Sequence, residues 1–196
     1  MILIGIYSGL AFLARNDSII FSVPIWLYIL WAIRKSKNNR KTFAALLAAV
    51  ATFSLIAIGQ LAFQYFYYGE LLPNTYALKM TGMPLLFRIQ NGIGFVTPFL
   101  IEIAFLVTLP ILDLVLNYQK EKLLLFSMII SAISYQIYTG GDPWDYWRML
   151  SPSVPIIAML FVYATIDFVD YLSNTRLFDT SFFNNGIVRK KFAAST

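Results

Sequence analysis

The sequence contains no cysteine and no histidine. Disulfides, thiolate clusters, His-based zinc sites and the Ser-His or Cys-His nucleophile pairs are therefore excluded within this chain. Charge is scarce as well, with Asp, Glu, Lys and Arg at 13% of residues against 59% apolar ones. A chain of that balance cannot fold in water without exposing more apolar surface than soluble domains tolerate, so the bilayer must be its solvent. It also lacks a Walker-type phosphate loop, a Gly-rich nucleotide fingerprint, a soluble domain and an internal repeat. These absences disfavour a nucleotide-driven pump and count against an inverted-repeat transporter. The opening apolar run has no basic start and no small-residue cleavage site after it, and is expected to stay as a membrane segment rather than be removed.

What the chain does have is long apolar runs. A span needs about 20 mostly apolar residues, and the candidates are 2–13, 18–33, 43–66, 93–116, 123–138 and 154–172. The fold class that follows is an all-α integral membrane protein, a polytopic bundle of about six transmembrane segments within residues 1–172, with 173–196 a cytoplasmic tail. The first run is short and ends in Arg15, Asn16 and Asp17, charges that would cost several kcal/mol if unpaired at the bilayer centre. One helix over 2–33 would be roughly 48 Å long, well beyond a hydrocarbon core of about 30 Å. The sequence predicts a tight helix hairpin instead.

Orientation follows from the cations, which are retained on the cytoplasmic side of short loops. If the connector holding Arg34, Lys35, Lys37, Arg40 and Lys41 is inside, then Lys120, Lys122, Arg176, Arg189, Lys190 and Lys191 fall inside too. Only Arg15, Lys79, Arg88 and Arg148 remain outside. The expectation is a multi-pass membrane protein with both termini cytoplasmic. This topology accounts for the net charge of +5 without a nucleic-acid partner, and the basic connector also suits anionic lipid headgroups.

Two polar islands, residues 67–79 and 140–152, interrupt the apolar pattern, and both are expected on the outer face. With the first turn they collect Arg15, Asn16, Asp17, Glu70, Asn74, Tyr76, Lys79, Arg88, Asp142, Asp145 and Arg148. A pore selecting one ion sign favours a ring of like charges. The mixed set here better suits a substrate carrying both phosphate and hydroxyl groups, because cations stabilise a leaving phosphate while a carboxylate orients a sugar or accepts a proton. Taken singly, each of these charges reads as a solvated loop residue or half of a weak surface pair; their clustering is the signal.

At these residues a family resemblance emerges. Tyr67, Tyr68, Gly69, Glu70, Leu71, Leu72, Pro73, Asn74, Thr75 and Tyr76, followed by Lys79, resemble the YYG-acid-LLPNTY pattern of bacterial membrane glycosyltransferases of the GT-C fold, in particular the arabinofuranosyltransferase-like branch. Gly140, Gly141 and Asp142, with Trp144, Arg148, Leu150 and Pro152, are similar to that branch's GGD-aromatic-Arg-Leu-Pro loop. Gly9, Leu10 and Ala11, running to Ala14, Arg15, Asn16 and Asp17, resemble its GLA-LTRPD turn, with Asn16 standing where the pattern has proline.

The resemblance implies a polytopic enzyme that takes a sugar from a polyprenyl-phosphate carrier on the non-cytoplasmic face and passes it to a cell-envelope glycan or glycolipid. By position, Glu70, Asn74 and Tyr76 would shape the sugar or acceptor pocket, and Arg15 and Lys79 would hold the carrier phosphate, with Asp17 beside them. Asp142, as an orienting group or base, and Arg148 would complete the pocket from the other side. Trp144, Tyr146 and Trp147 are candidates for stacking on a sugar ring, or for an aromatic belt at the headgroup level. The family's principal catalytic carboxylate lies in an earlier outer loop that this chain does not carry, so residues 1–196 are expected to be an internal or truncated portion, with a missing half or partner subunit. The implied partners are membrane lipid, the polyprenyl-phosphate sugar and the glycan acceptor. No cofactor is implied beyond the lipid-linked donor, and the metal requirement stays open.

Within the spans, Glu102 is an isolated acid, with Gln60 and Gln64 as candidate hydrogen-bond partners or the lipid-phosphate groove as its surroundings. Asp113, Asp167 and Asp170 lie near inner ends, where Lys120 and Lys122 are plausible partners. Pro24, Pro98, Pro110 and Pro155 suggest kinks that open a groove for an isoprenoid tail. Two other classes fit the composition: a secondary transporter or lipid flippase component, and a non-catalytic membrane subunit.

Overall fold

The computed structural model describes residues 1–35, 39–70, 82–142 and 147–174. Among the candidate residues, Asn74, Tyr76, Lys79 and Trp144 lie outside them, as do Asp145, Tyr146 and the tail from 175 onward. The described residues form helices α1 (Ile2–Ala14), α2 (Ile19–Lys35), α3 (Asn39–Tyr68), α4 (Leu85–Leu116), α5 (Lys120–Thr139) and α6 (Ser153–Asn174), with a short 3-10 turn at Asn16–Ser18 between the first two. No strand occurs among them. Five of the helices are long and apolar enough to cross a membrane, and α1 is shorter, at 13 residues. A helical membrane bundle follows directly, because hydrocarbon offers backbone groups no partner except each other.

The first two helices form the expected hairpin. Arg15 leaves the helix with φ −156° and ψ 126°, the 3-10 turn follows, and Ile4 at the start of α1 packs against the cluster formed by Ile29 and Ile33 at the end of α2 and Leu46 of α3. The chain has therefore doubled back. α1 lies along α3, where a Cβ at Gly5 would collide with the Ala49 carbonyl, so the missing side chain lets the two backbones approach. α2 packs on α5, which also carries α4 and α6.

Two helices start earlier than hydropathy predicts. α3 begins at Asn39, so Arg40 and Lys41 occupy its first turn, and its 30 residues span roughly 45 Å. α4 begins at Leu85 after Pro84, not at 93. Proline fixes the backbone for a helix start, and the helix then runs on through polar residues that no hydrophobic window includes. Arg88, expected in an outer loop, consequently sits in the first turn of α4 and is buried. Pro24, Pro98 and Pro110 all lie inside continuous helices.

The core is shared by α4, α5 and α6. Val96 and Phe99 meet Phe126, Ile129 and Ala132, with Ile157, Leu160 and the fully buried Leu150 closing the cluster. At one end of the same three helices, Lys122 of α5 donates to Asp113 of α4 at 2.5 Å and to Asp167 of α6 at 2.6 Å, while Asn117 holds the other Asp113 oxygen at 3.1 Å. Lys122 and Asp113 are both nearly sealed from solvent. The expected structural role of these acids is thereby seen, with Lys122 rather than Lys120 as the cation. Glu102, by contrast, is exposed on α4 and has no hydrogen-bond partner among the described residues; α4 packs on α5 and α6, which keeps the proposed bond to Gln60 or Gln64 from forming.

The alternating helix directions put the 15–18 turn, the end of α3, the start of α4 and residues 140–142 and 147–152 at one end of the bundle. The Lys35, Asn39, Asn117 and Lys120 positions lie at the other. Cysteines placed at Glu70 and Arg148 should react with an impermeant maleimide from the same side, and one at Lys41 from the opposite side; reaction of 70 and 148 from different sides would contradict this topology. Lys122→Gln should lower stability in detergent by about 3–5 kcal/mol, since it leaves two carboxylates facing each other. Asp113→Asn should cost less, because a Lys122–Asp167 pair survives; thermal unfolding of both variants checks the order.

Candidate functional site

The first turn and the loop after α5 meet. Arg15 is held in extended backbone between α1 and the 3-10 turn, and its guanidinium donates to Asp17 at 3.2 Å and reaches the Met149 sulfur at 2.7 Å, across 134 positions of sequence. Asp17 in turn accepts from the Tyr135 hydroxyl of α5 at 3.4 Å. These side chains rim a cavity of about 110 Å³, floored by Phe21, Ala132 and Gln136 and closed by Pro152. A thioether is a weak acceptor, so the Arg15 contact to Met149 consumes little of the guanidinium's capacity. Its Nε and Nη1 have no partner among the described residues.

Gln136 is the least expected member. It is 2% exposed, and its carbonyl oxygen is buried without a hydrogen-bond partner in the described structure. The Ser18 hydroxyl beside the same cavity is also unpartnered. A buried polar atom left alone costs about 1–3 kcal/mol, so both atoms are unfavourable features of this seam.

The loop that supplies Met149 and Pro152 is built by glycine and tryptophan. α5 ends where Gly140 and Gly141 both take φ 84°, a left-handed conformation that only glycine adopts cheaply. Their N–H groups return to the Ile137 and Gln136 carbonyls at 3.3 and 2.9 Å. A Cβ on Gly141 would lie 2.7 Å from the Phe95 side chain, so the second glycine is demanded by space as well. Trp147 then anchors the return: its indole N–H donates to the Phe95 carbonyl at 3.2 Å, its ring packs 5.9 Å from Phe99, and its backbone sits at φ 48°. This indole thus anchors the loop against α4.

Asp142 and Arg148 face each other with nitrogen and oxygen 3.8 Å apart, the carboxylate buried and the guanidinium exposed. The pair brackets positions 143–146 and does not line the cavity among the described residues. Arg88, buried at the start of α4, stacks its guanidinium over the Tyr138 ring at 5.2 Å. Glu70, just past the end of α3, is exposed and has no hydrogen-bond or ion-pair partner among the described residues. The structure therefore joins Arg15 and Asp17 to one another and to the 149–152 segment, pairs Asp142 with Arg148, and leaves Glu70 apart from both.

Sequence reasoning missed Tyr135, Gln136, Ser18 and Met149. A signal existed for the first two: adjacent polar residues one turn before the Gly140–Gly141 break, in a segment that otherwise needed only apolar ones. Among the described residues no three carboxylates gather as a metal site.

Gly141→Ala should destabilise the protein by about 1–2 kcal/mol or more, since it adds left-handed strain to a clash with Phe95. The same variant should shift Trp147 fluorescence as the loop moves; thermal unfolding followed by tryptophan emission checks both. Comparison with known protein families, curated proteins and solved structures finds no match for this chain.

Proposed function

We propose that this chain is part or all of an integral membrane glycosyltransferase that takes a sugar from a polyprenyl-phosphate carrier on the extracytoplasmic side and passes it to a cell-envelope glycan or glycolipid. The observation that carries the reading is the cavity in which Arg15 and Asp17 of the first turn meet Tyr135, Gln136 and the 149–152 segment. That arrangement offers a cation with unused donors, a carboxylate that fixes it, and a buried amide, all at one end of an apolar bundle. Described residues of the motifs that resemble GT-C glycosyltransferases, 15–17, 67–70, 140–142 and 148–152, fall at this same end.

At about 110 Å³ the cavity has room for a phosphate group. In transfer, the bond between the sugar's anomeric carbon and the phosphate oxygen breaks, the acceptor hydroxyl's oxygen takes its place on that carbon, and the hydroxyl proton passes to solvent. The departing phosphate gains negative charge, and Arg15 is placed to stabilise it through charge-assisted hydrogen bonds. Asp17 sets the direction of Arg15 and is held in turn by Tyr135. The sugar and acceptor are assigned to Glu70, Asn74 and Tyr76, with Lys79 as a second phosphate ligand, on the strength of the motif alone. Asp142 is assigned the orienting role, paired with Arg148 outside the cavity.

In nanodiscs, the chain should bind a fluorescent short-chain polyprenyl phosphate, and Arg15→Gln should weaken binding about tenfold or more, the equivalent of one hydrogen bond to a charged group. Asp17→Asn should weaken it less, because the arginine is retained but loosened. Undiminished binding by Arg15→Gln would remove the basis of the proposal. Transport of a labelled solute with its covalent structure unchanged would instead favour the transporter class.

A further inference from the structure

We infer that the opposite end of the bundle carries a second lipid site, a groove between α2 and α5 that seats one anionic phospholipid of the facing leaflet. The groove measures about 550 Å³ and is walled by Val23, Pro24 and Leu27 on one side and Leu123, Leu124 and Ile130 on the other. Pro24 lies at its wall within α2. The Ser127 and Ser131 hydroxyls that border it already donate to the Leu124 and Ile20 carbonyls, so the walls present an apolar surface suited to an acyl chain.

The charged mouth selects the headgroup. Lys35 at the end of α2 places its ammonium 4.2 Å from the Trp31 ring centre, and Lys120 at the start of α5 places its own 5.0 Å from the same ring. Two ammonium groups converging on one indole repel each other, and an anion between them reverses the sign of that interaction. Lys120 is also the first residue of α5, and the residue before it, Gln119, makes no side-chain cap. The unpaired N–H groups of that first turn add positive potential at the same place. Glu121, the acid of this turn, is engaged by the Tyr28 hydroxyl at 3.4 Å, and Tyr118 completes the rim. Apolar walls below paired cations and an interfacial tyrosine match a phosphodiester with its chains pointing into the bilayer. This inference is independent of the proposed sugar transfer, which concerns the other end.

Brominated acyl chains quench nearby tryptophan, and the difference between the native chain and Trp31→Phe isolates the Trp31 signal. In vesicles, brominated phosphatidylglycerol should quench that signal with a roughly tenfold preference over brominated phosphatidylcholine. The preference should vanish in Lys35→Gln/Lys120→Gln and return in Lys35→Arg/Lys120→Arg, which tells a lost site from a misfolded chain. Arg40→Gln/Lys41→Gln removes equal charge elsewhere at the same end and should leave the preference intact. Equal quenching by the two lipids, or equal loss in the Arg40/Lys41 variant, would overturn the site in favour of unspecific attraction. Stabilisation of the chain in detergent by inorganic phosphate alone would assign the lysines to a free anion and overturn it as well.

Discussion

One ammonium group, Lys122, holds the bundle in register. Inside an apolar assembly it has no water to solvate it, and it is satisfied only where carboxylates from two other helices reach the same point, Asp113 at 2.5 Å and Asp167 at 2.6 Å. Dispersion between apolar side chains tolerates sliding, and lipid supplies no hydrophobic force between helices. A buried charge tolerates no such sliding, because moving it one turn leaves it unpaired at a cost of several kcal/mol. α4, α5 and α6 are thereby fixed relative to one another.

α5 transmits that constraint. Pinned at Lys122, it runs 20 residues to the Gly140–Gly141 reversal, and its far turn carries Tyr135 and Gln136 to the cavity. The same helix forms one wall of both recesses, facing α2 throughout. At one end the α2–α5 seam is small and rimmed by Arg15, Asp17 and the 149–152 segment. Toward the other it is wide, apolar and topped by Lys35, Lys120 and Trp31. The difference has a simple origin: the 3-10 turn and the Trp147-anchored loop fold inward over the first, and nothing among the described residues folds over the second.

Much of the architecture can be read from the chain. Low charge and high apolar content require a bilayer, and three polar residues at positions 15–17 require that the first apolar stretch turn back, which it does through the Asn16–Ser18 turn. Arg88 shows where such reading stops. Hydropathy marks only the part of a helix that hydrocarbon must cover, so the two turns before position 93, with Arg88, Gln90 and Asn91, read as loop although the helix starts after Pro84. Glu102 shows a second limit, since an intramembrane acid says that something must face it but not which helix.

Residue composition is enough to make this a helical membrane protein and to mark where its apolar runs break and which polar residues those breaks contain, because the energies of burying charge and exposing hydrocarbon depend on residue type alone. Which breaks meet is a matter of packing. That Arg15 reaches Met149, that Asp17 holds Tyr135, and that Gln136 faces a cavity while Glu70 stands apart all depend on helix order and register around α5. Those are set by close approach at Gly5 and by the pairing of Lys122, long-range contacts that no local pattern encodes.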